Sequence, residues 1–465
     1  GAMQVPEHAF REYDIRGVAK RDLNDALATA IGRALVTAVA PADASKRVRV
    51  AVARDCRESS DRLFAALTTG LQASGADVVD VGIGPSPLLY FAAHHLGTDA
   101  AVMITGSHNP AQDNGFKMMR GRSSFFGQDI QNLRECIETE AYREADRGSM
   151  SSADITAAYI EAVVRALKPV TVPAELRVTV DAGNGAAGPL ALRTLETLGY
   201  TIDPLFCEMD GRFPNHHPDP TVEENLEHLK ARVAETKASV GIAFDGDGDR
   251  IGVVDAEGQV IWGDKLMILF SRAVLSEHPA ATILGEVKCS ETLFHAIREA
   301  GGRAIMCRTG HSLIKERMKQ EKALLAGEMS GHIFFADRYF GFDDAIYAAA
   351  RLLEILVDEG KSLSELLGDV PLTYVTPEIR MPCPDDAKFA VVDRVRRHYE
   401  ADHEVSSVDG ARVDFGEGAW GLCRASNTGP VLVLRFEALT AERRDALRAD
   451  FERVVENAKK ELSVA

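Results

Sequence analysis

The chain is poor in three things, and each shortage excludes a class of protein. It has seven cysteines, and no two stand at C-x-x-C spacing. An odd count without metal-ligand spacing argues against a disulfide framework or a zinc site, and points to a reducing, cytoplasmic compartment. Long apolar runs are missing too: uninterrupted stretches such as residues 266–270 fall far short of the ~20 residues that a membrane-spanning helix needs. The opening Gly1-Ala2-Met3 lacks a signal-peptide pattern and reads as two added residues before the native methionine. Positive charge is in deficit, with 53 Lys and Arg against 70 Asp and Glu, a net charge of −17. So acidic a surface argues against nucleic acid or an anionic membrane as the main partner. A small anionic substrate in a locally basic pocket is untouched by that argument.

What remains is an ordinary soluble composition, 46% hydrophobic and 26% charged. A chain of 465 residues makes roughly three or four domains at about 100–200 residues each. A repeat is visible in pattern rather than in identity. Residues 47–55 (RVRVAVARD) read as a strand, followed by a helix near 63–74 and a strand at 78–83. The same order recurs from residues 177–181 (RVTVD), through a glycine turn and PLALRTLETLGY, to a strand near 201–206. It recurs again from residues 282–288 (TILGEVK), through ETLFHAIREAGG, to RAIMCRT. Strand, turn, helix and strand in that order predict parallel strands with covering helices.

Each unit is followed by one more apolar strand that ends in a polar loop: AAVMITGSHNP, ASVGIAFDGDGDR and ALLAGEMSGH. The three loops therefore hold equivalent places at the carboxyl ends of strands, where such folds bind ligands. Joins are expected at 148–152, near the turn at 255–258 and at 368–371, which divides the chain into domains 1–152, 153–259, 260–371 and 372–465. A helix is predicted over 222–237, with Thr221 and Glu224 in a capping-box pattern. The last hundred residues differ. Asp409-Gly410 signals a hairpin, residues 424–430 a polar loop into a strand at 431–436, and a helix near 441–460 closes a smaller α+β domain.

Two loops carry the sharpest chemistry. Thr-Gly-Ser-His-Asn-Pro (105–110) offers the Ser107 hydroxyl in a turn, although these residue types populate turns in any case. Phosphate on Ser107 would add roughly −1.5 to −2 charges and demand nearby cations, for which Lys117 is close in sequence. Asp-Gly-Asp-Gly-Asp-Arg (245–250) sets three carboxylates at alternate positions, on one side of an extended segment. Like charges so placed repel unless a cation holds them, and hard oxygen ligands suit Mg²⁺. An EF-hand is excluded, because its sixth and twelfth positions here are Arg250 and Ala256. An aspartyl-nucleophile phosphatase is a rival that would take phosphate on a carboxylate instead of Ser107.

Other signals are weaker alone. Gly183, Gly185 and Gly188 match G-x-G-x-x-G with Glu208 twenty residues on, which fits a dinucleotide site or, better, a tight glycine turn. Glu328, Ser330 and His332 alternate in GEMSGH, suited to sugar hydroxyls or to the solvent face of a hairpin. His311 is a candidate general acid or base, or a helix cap. Arg424, Ser426, Asn427 and Thr428 form a basic, hydroxyl-rich loop able to grip phosphate, or an ordinary interstrand loop.

Together, in order, Phe10-Arg-Glu-Tyr-Asp-Ile-Arg-Gly17, TGSHNP, DGDGDR, GEMSGH and RASNTGP resemble the α-D-phosphohexomutase superfamily, and within it the bacterial phosphomannomutase/phosphoglucomutase group. The match covers essentially the whole chain and no motif departs from the pattern. The resemblance implies three related α/β domains with mixed sheets plus a smaller C-terminal α+β domain around a central cleft. It implies that Ser107 is the phosphoserine, and that Mg²⁺ is held by its phosphate with Asp245, Asp247 and Asp249. Glu328 and Ser330 would then grip sugar hydroxyls, and Arg424, Ser426, Asn427 and Thr428 the phosphate that is not reacting. Tyr13, Arg16, Lys117, Arg250, Lys288, His311 and His332 would line the cleft, with Lys117, His311 and Arg16 as unranked candidates for the base.

The reaction so implied converts hexose 1-phosphate to hexose 6-phosphate through a hexose 1,6-bisphosphate, both activator and intermediate, which turns end for end. Met329 resembles hexose enzymes, whereas glucosamine-specific relatives carry Gln there. The partners implied are small phosphosugars, in a cytoplasmic monomer that serves carbohydrate metabolism and exopolysaccharide precursors. A metal-dependent phosphatase and a non-catalytic NAD- or sugar-phosphate-binding protein are the competing classes.

Overall fold

Runs of Val, Ile and Ala bounded by glycine or charged residues favour extended backbone, and the amphipathic stretches between them favour helices that cover it. The computed structural model describes residues 3–43 and 45–464, and these runs form its strands. The reading of Gly1-Ala2 as additions, and the outermost limits of the first and last expected domains, lie outside the described residues. The chain packs into two units, Gly1–Gly263 with Ser330–Leu363, and Asp264–Met329 with Ser364–Ala465.

The first unit holds two mixed sheets. In one, Ala100–Ile104, Val48–Arg54, Ala76–Ile83 and Met150–Ser152 run parallel; Asp113–Arg120 joins Ala100–Ile104 antiparallel and Ile15–Val18 joins it in turn. In the other, Ile202–Leu205, Val178–Asp181 and Val240–Phe244 are parallel, and Ile251–Asp255 returns antiparallel. The two motif loops, 105–110 and 245–250, therefore occupy the same place. Each follows the carboxyl end of a parallel strand and precedes an antiparallel return.

The first sheet is covered by helices Asp25–Val39 and Ser60–Ala73, whose Leu27, Ile31, Leu67 and Leu71 close a core with Val50, Val52, Val102 and Ile104. Each fully buried aliphatic side chain there contributes about 1.5–3 kcal/mol. Leu67→Ala would cost about 2–5 kcal/mol by leaving a cavity.

In the second unit Arg303–Cys307, Thr282–Glu286 and Leu325–Gly327 are parallel, with helices Glu291–Glu299 and His311–Glu321 between them in sequence. The remaining sheet is antiparallel, in the order Tyr374–Val375, Val431–Ala438, Ala419–Ala425, Ala411–Gly416, Glu404–Ser406, with Ile379–Pro382 also on Val431–Ala438. Helices Lys388–Glu400 and Ala441–Glu461 supply Val391, Val395, Phe451 and Val455 to its core, against Leu434 and Phe436.

Two local expectations change. The helix expected over 222–237 is a 3₁₀ turn, Glu223–Leu226, followed by an α-helix of only Glu227–Thr236. Thr221 does not cap it: the cap positions are Val222 and Leu226, neither with a side-chain cap, and the Thr221 hydroxyl turns to Asp219 Oδ1 at 2.5 Å. The G-x-G-x-x-G segment is a packing turn. The N–H groups of Gly183, Asn184, Gly185 and Ala186 are all taken within the protein, at 2.8–2.9 Å. A Cβ on Gly188 would stand 2.1 Å from the Cys207 carbonyl oxygen. These four amides are not free to bind a pyrophosphate, which favours the packing turn over the dinucleotide alternative.

Candidate active site

Ser107 sits in the left-handed region (φ 56°), a conformation that costs a residue with a Cβ and needs support from its surroundings. The support is a buried network. Thr105 Oγ1 accepts from Ser107 N (2.8 Å) and donates to Asp55 Oδ2 (2.7 Å). Asp55 also holds Arg57 Nε (3.0 Å), and the Arg57 guanidinium donates to the carbonyls of Ser107 (3.1 Å), Asn109 (2.8 Å), Asp113 (3.0 Å) and Pro110. Arg16 reaches the same turn through Asn109 Oδ1 at 3.2 Å while paired to Asp14 at 2.6 Å. Tyr13, half-buried, lies near Phe126 with ring centroids 6.4 Å apart.

The acidic loop is not extended. It is a turn, and the turn rather than strand alternation gathers the three carboxylates. One ligand oxygen from each of Asp245, Asp247 and Asp249 lies within 4.8 Å of the others, and all three side chains are buried. Gly246 allows the close approach, since a Cβ there would stand 2.1 Å from the Ser107 carbonyl. Ser107 Oγ is 3.1 Å from Asp247 Oδ1, whose other oxygen accepts from Ser86 Oγ and Lys117 Nζ, both at 2.5 Å. Lys117 stands on the Asp113–Arg120 strand and also reaches Asp249 at 2.9 Å.

Electrostatics follow from burial. Burial and the like charges of Asp247 and Asp249 push the Asp245 carboxyl well above the usual range. Burial opposes ionisation of Asp249 too, but Lys117 outweighs it and brings the group to about 2. Burial works against the Lys117 ammonium, and Asp247 and Asp249 more than restore it, so it stays charged. Among the described residues, Asp245 Oδ2 and Asp249 Oδ1 are buried carboxylate oxygens with no hydrogen-bond donor. Such atoms are costly unless a cation faces them, and hard oxygens in this number fit Mg²⁺.

The loop 327–332 is likewise a turn, so its alternating residues do not share one strand face. Within the first unit, His332 Nδ1 bonds Asp343 Oδ2 (2.9 Å) and its Nε2 accepts from Arg250 Nε (3.0 Å). Ser330 is half-buried there. Within the second unit, Glu328 is buried and its Oε2 accepts from Gly310 N at 3.3 Å, beside His311. His311 is the first residue of its helix, and the cap position is Gly310 with no side-chain cap, so the capping alternative for His311 is not what forms. Lys288 Nζ is held by Glu378 Oε1 at 2.5 Å. Arg424 Nε lies 3.1 Å from Asp409 Oδ2, an ion pair by distance without hydrogen-bond alignment, and Asp409 also accepts from Thr309 N at 3.0 Å. Ser426 Oγ and Thr428 Oγ1 are 3.2 Å apart, with Asn427 between them in the loop.

Sequence reasoning missed the residues that hold these loops. Arg57 and Ser86 support the first unit's turns, and Glu378, Asp409 and Lys388 hold the second unit's cations and phosphate-loop backbone. Lys388 Nζ donates to the carbonyl of Ser426 at 2.6 Å. None carries a local signal: Ser86 is 161 residues from Asp247, and Glu378 is 90 from Lys288.

A hydroxyl set against a buried carboxylate cluster, at the carboxyl ends of parallel strands, defines a class: α/β enzymes of phosphoryl transfer. Four domain families match in order. The phosphoglucomutase/phosphomannomutase alpha/beta/alpha domains I, II and III match residues 7–144, 157–258 and 262–374, and the C-terminal domain matches 378–454. A phosphomannomutase/phosphoglucomutase of Pseudomonas putida is 47% identical over 435 residues, 93% of this chain and 92% of that one. A phosphoglucomutase of Neisseria gonorrhoeae is 43% identical over 457 residues, 97% and 98% of the two chains. A solved phosphoglucomutase/phosphomannomutase family protein of Burkholderia thailandensis superposes with a TM-score of 0.91 at 43% identity, covering 98% of each chain. The chain belongs to the phosphoglucomutase/phosphomannomutase family of the α-D-phosphohexomutase superfamily, and is an enzyme of the isomerase class.

Proposed function

We propose that the enzyme reversibly interconverts the 1- and 6-phosphates of mannose and glucose, with Ser107 as the phosphoryl carrier. The observation that carries this reading is the 3.1 Å contact of Ser107 Oγ with Asp247, in a turn with two buried carboxylate oxygens lacking a donor. Asp245, Asp247 and Asp249, with the phosphate on Ser107, would hold Mg²⁺, which supplies positive charge to the transferring phosphoryl group. Ser107 gives its phosphoryl group to the free hydroxyl of a hexose 1-phosphate. The resulting hexose 1,6-bisphosphate turns over, returns its other phosphate to Ser107 and leaves as the 6-phosphate.

Lys117 keeps charge balanced beside the acceptor carboxylates. Lys117, His311 and Arg16 are the candidates for the proton acceptor; Arg16 is paired to Asp14, and Lys117 would first have to shed the proton that Asp247 and Asp249 hold on it. Tyr13, Arg250, Lys288 and His332 line the substrate's path. Glu328 and Ser330 read sugar hydroxyls common to both orientations, while Arg424, Ser426, Asn427 and Thr428 hold the idle phosphate. In the same proposal the enzyme is a cytoplasmic monomer with domain limits at 152, 259 and 371. Two observations are consistent with it: the seven cysteines are free thiols, and among the described residues no helix is long and apolar enough to cross a membrane.

The test is a coupled assay with Mg²⁺, a trace of glucose 1,6-bisphosphate, and glucose 1-phosphate or mannose 1-phosphate. Both 6-phosphates are expected. Release of inorganic phosphate without an isomer would favour a phosphatase. No turnover by protein carrying phosphate on Ser107 would point to another sugar.

A further inference from the structure

The turn that carries Ser107 is held from two directions. Arg57 takes the carbonyls of Ser107, Asn109, Pro110 and Asp113. Between Ser107 and Pro110 it leaves one carbonyl, that of His108, which accepts from His217 Nε2. A carbonyl only accepts, so the imidazole carries its proton on Nε2 there. The next residue, Pro218, offers its own carbonyl to Gly246 N at 3.0 Å. One dipeptide thus grips the phosphoserine turn by a side chain and the acidic turn by its backbone, within one unit.

The segment around it is built to stay still. Residues 213–220 read Phe-Pro-Asn-His-His-Pro-Asp-Pro, with three prolines that fix φ. His216 Nε2 bonds Asp181 Oδ2 and its Nδ1 bonds the His217 carbonyl, both at 2.8 Å. Asn215 Nδ2 donates to Asn184 Oδ1 at 2.8 Å, and Asp219 N to the His217 carbonyl at 2.9 Å. The Phe213 ring lies under the Arg57 guanidinium, 5.0 Å from its centroid, so the two supports touch.

We propose that His217 is a positioning residue for phosphoryl transfer. It sets the Ser107 turn against the Asp245–Asp249 turn through the His108 carbonyl, and it touches neither substrate nor metal. The inference rests on Ser107 being the phosphoryl carrier. Transfer is sensitive to displacement, since a shift of about 1 Å in a reacting group costs on the order of 10²-fold in rate. Substrate binding is not, because the sugar and phosphate contacts lie on other loops.

The test uses the full chain carrying His217→Ala, His217→Gln or His217→Met. Gln keeps an N–H donor at similar reach, and Met fills the space without one. With glucose 1-phosphate, Mg²⁺ and glucose 1,6-bisphosphate, kcat of the Ala and Met variants is expected to fall at least ~10-fold while KM stays within about 3-fold. The Gln variant is expected to recover part of kcat. Melting temperatures report folding, and if the Ala variant does not fold, the Gln–Met pair decides. Equal kcat in Gln and Met, or a loss that appears only in KM, would overturn the proposal. Absence of mutase turnover in the unsubstituted enzyme would instead sink the reading of Ser107 on which it rests.

Discussion

The two units solve different problems with the same residue types. In the first, Ser107, Lys117 and the three aspartates are all buried, Ser107 and Lys117 are bonded to the acidic turn, and two carboxylate oxygens of that turn are left without a donor. In the second, the candidate phosphate-binding cations already face protein carboxylates: Lys288 faces Glu378 and Arg424 faces Asp409. Its loop also opens to solvent, with Asn427 half-buried and Thr428 exposed. A site that moves a phosphoryl group gains from donors and acceptors fixed in advance. A site that must release and regrip an anion gains from cations held in place by a partner that phosphate can replace.

The sharpest way to break this contrast is at Ser107. Ser107→Ala is expected to lower mutase turnover at least ~10³-fold, because the phosphoryl carrier is gone. Turnover near that of the unsubstituted enzyme in the coupled assay would contradict the assignment. Next is Asp245→Asn, which should cost about 10²-fold in kcat and weaken Mg²⁺ activation. In EDTA the same change should raise the melting temperature by about 1–3 °C, because it removes a buried carboxylate crowded by two others. A lower melting temperature in EDTA would show that the carboxylate is structurally satisfied.

In the second unit, Arg424→Ala is expected to raise KM for hexose 1-phosphate about 10-fold with a smaller effect on kcat, from the loss of a charged hydrogen bond. An unchanged KM would remove the phosphate-binding role.

The smallest expected effect concerns the brace beneath the first unit's turns. Burial opposes the His216 imidazolium, but Asp181 outweighs it and raises the group above its ordinary 6.5. A raised folded value means that this contribution is fully present below about pH 6.5 and is lost as pH rises through the folded value. The melting-temperature gap between the unsubstituted enzyme and His216→Asn should therefore shrink as pH rises. A gap that widens would reverse the sign of the argument.

Much of the fold was legible because the repeat is written in composition. The strands at 48–54, 178–181 and 282–286 are β-branched or apolar runs, and the helices between them carry their own periodicity. The antiparallel return Asp113–Arg120 was not legible, since DNGFKMMR has neither alternation nor an apolar run; its burial comes from its neighbours. The candidate site divides the same way. The acidic loop is visible as residue types, but alternation implies strand geometry, and a turn gathers the carboxylates instead. Thr221 and Glu224 have the residue types and spacing of a capping box, but the chain enters the helix through a 3₁₀ turn whose cap position is Val222. Arg57, Asp409, Glu378 and His217 were invisible because their partners are distant in sequence and each resembles any other polar residue.

The most direct test of the central claim follows phosphate on Ser107 itself. The enzyme is charged with labelled glucose 1,6-bisphosphate, the peptide carrying residue 107 is analysed by mass, and the remainder is chased with unlabelled hexose 1-phosphate. The account predicts one phosphate on Ser107 that the chase transfers to the sugar. A label that sits on another residue, or that leaves Ser107 only as inorganic phosphate, would contradict it.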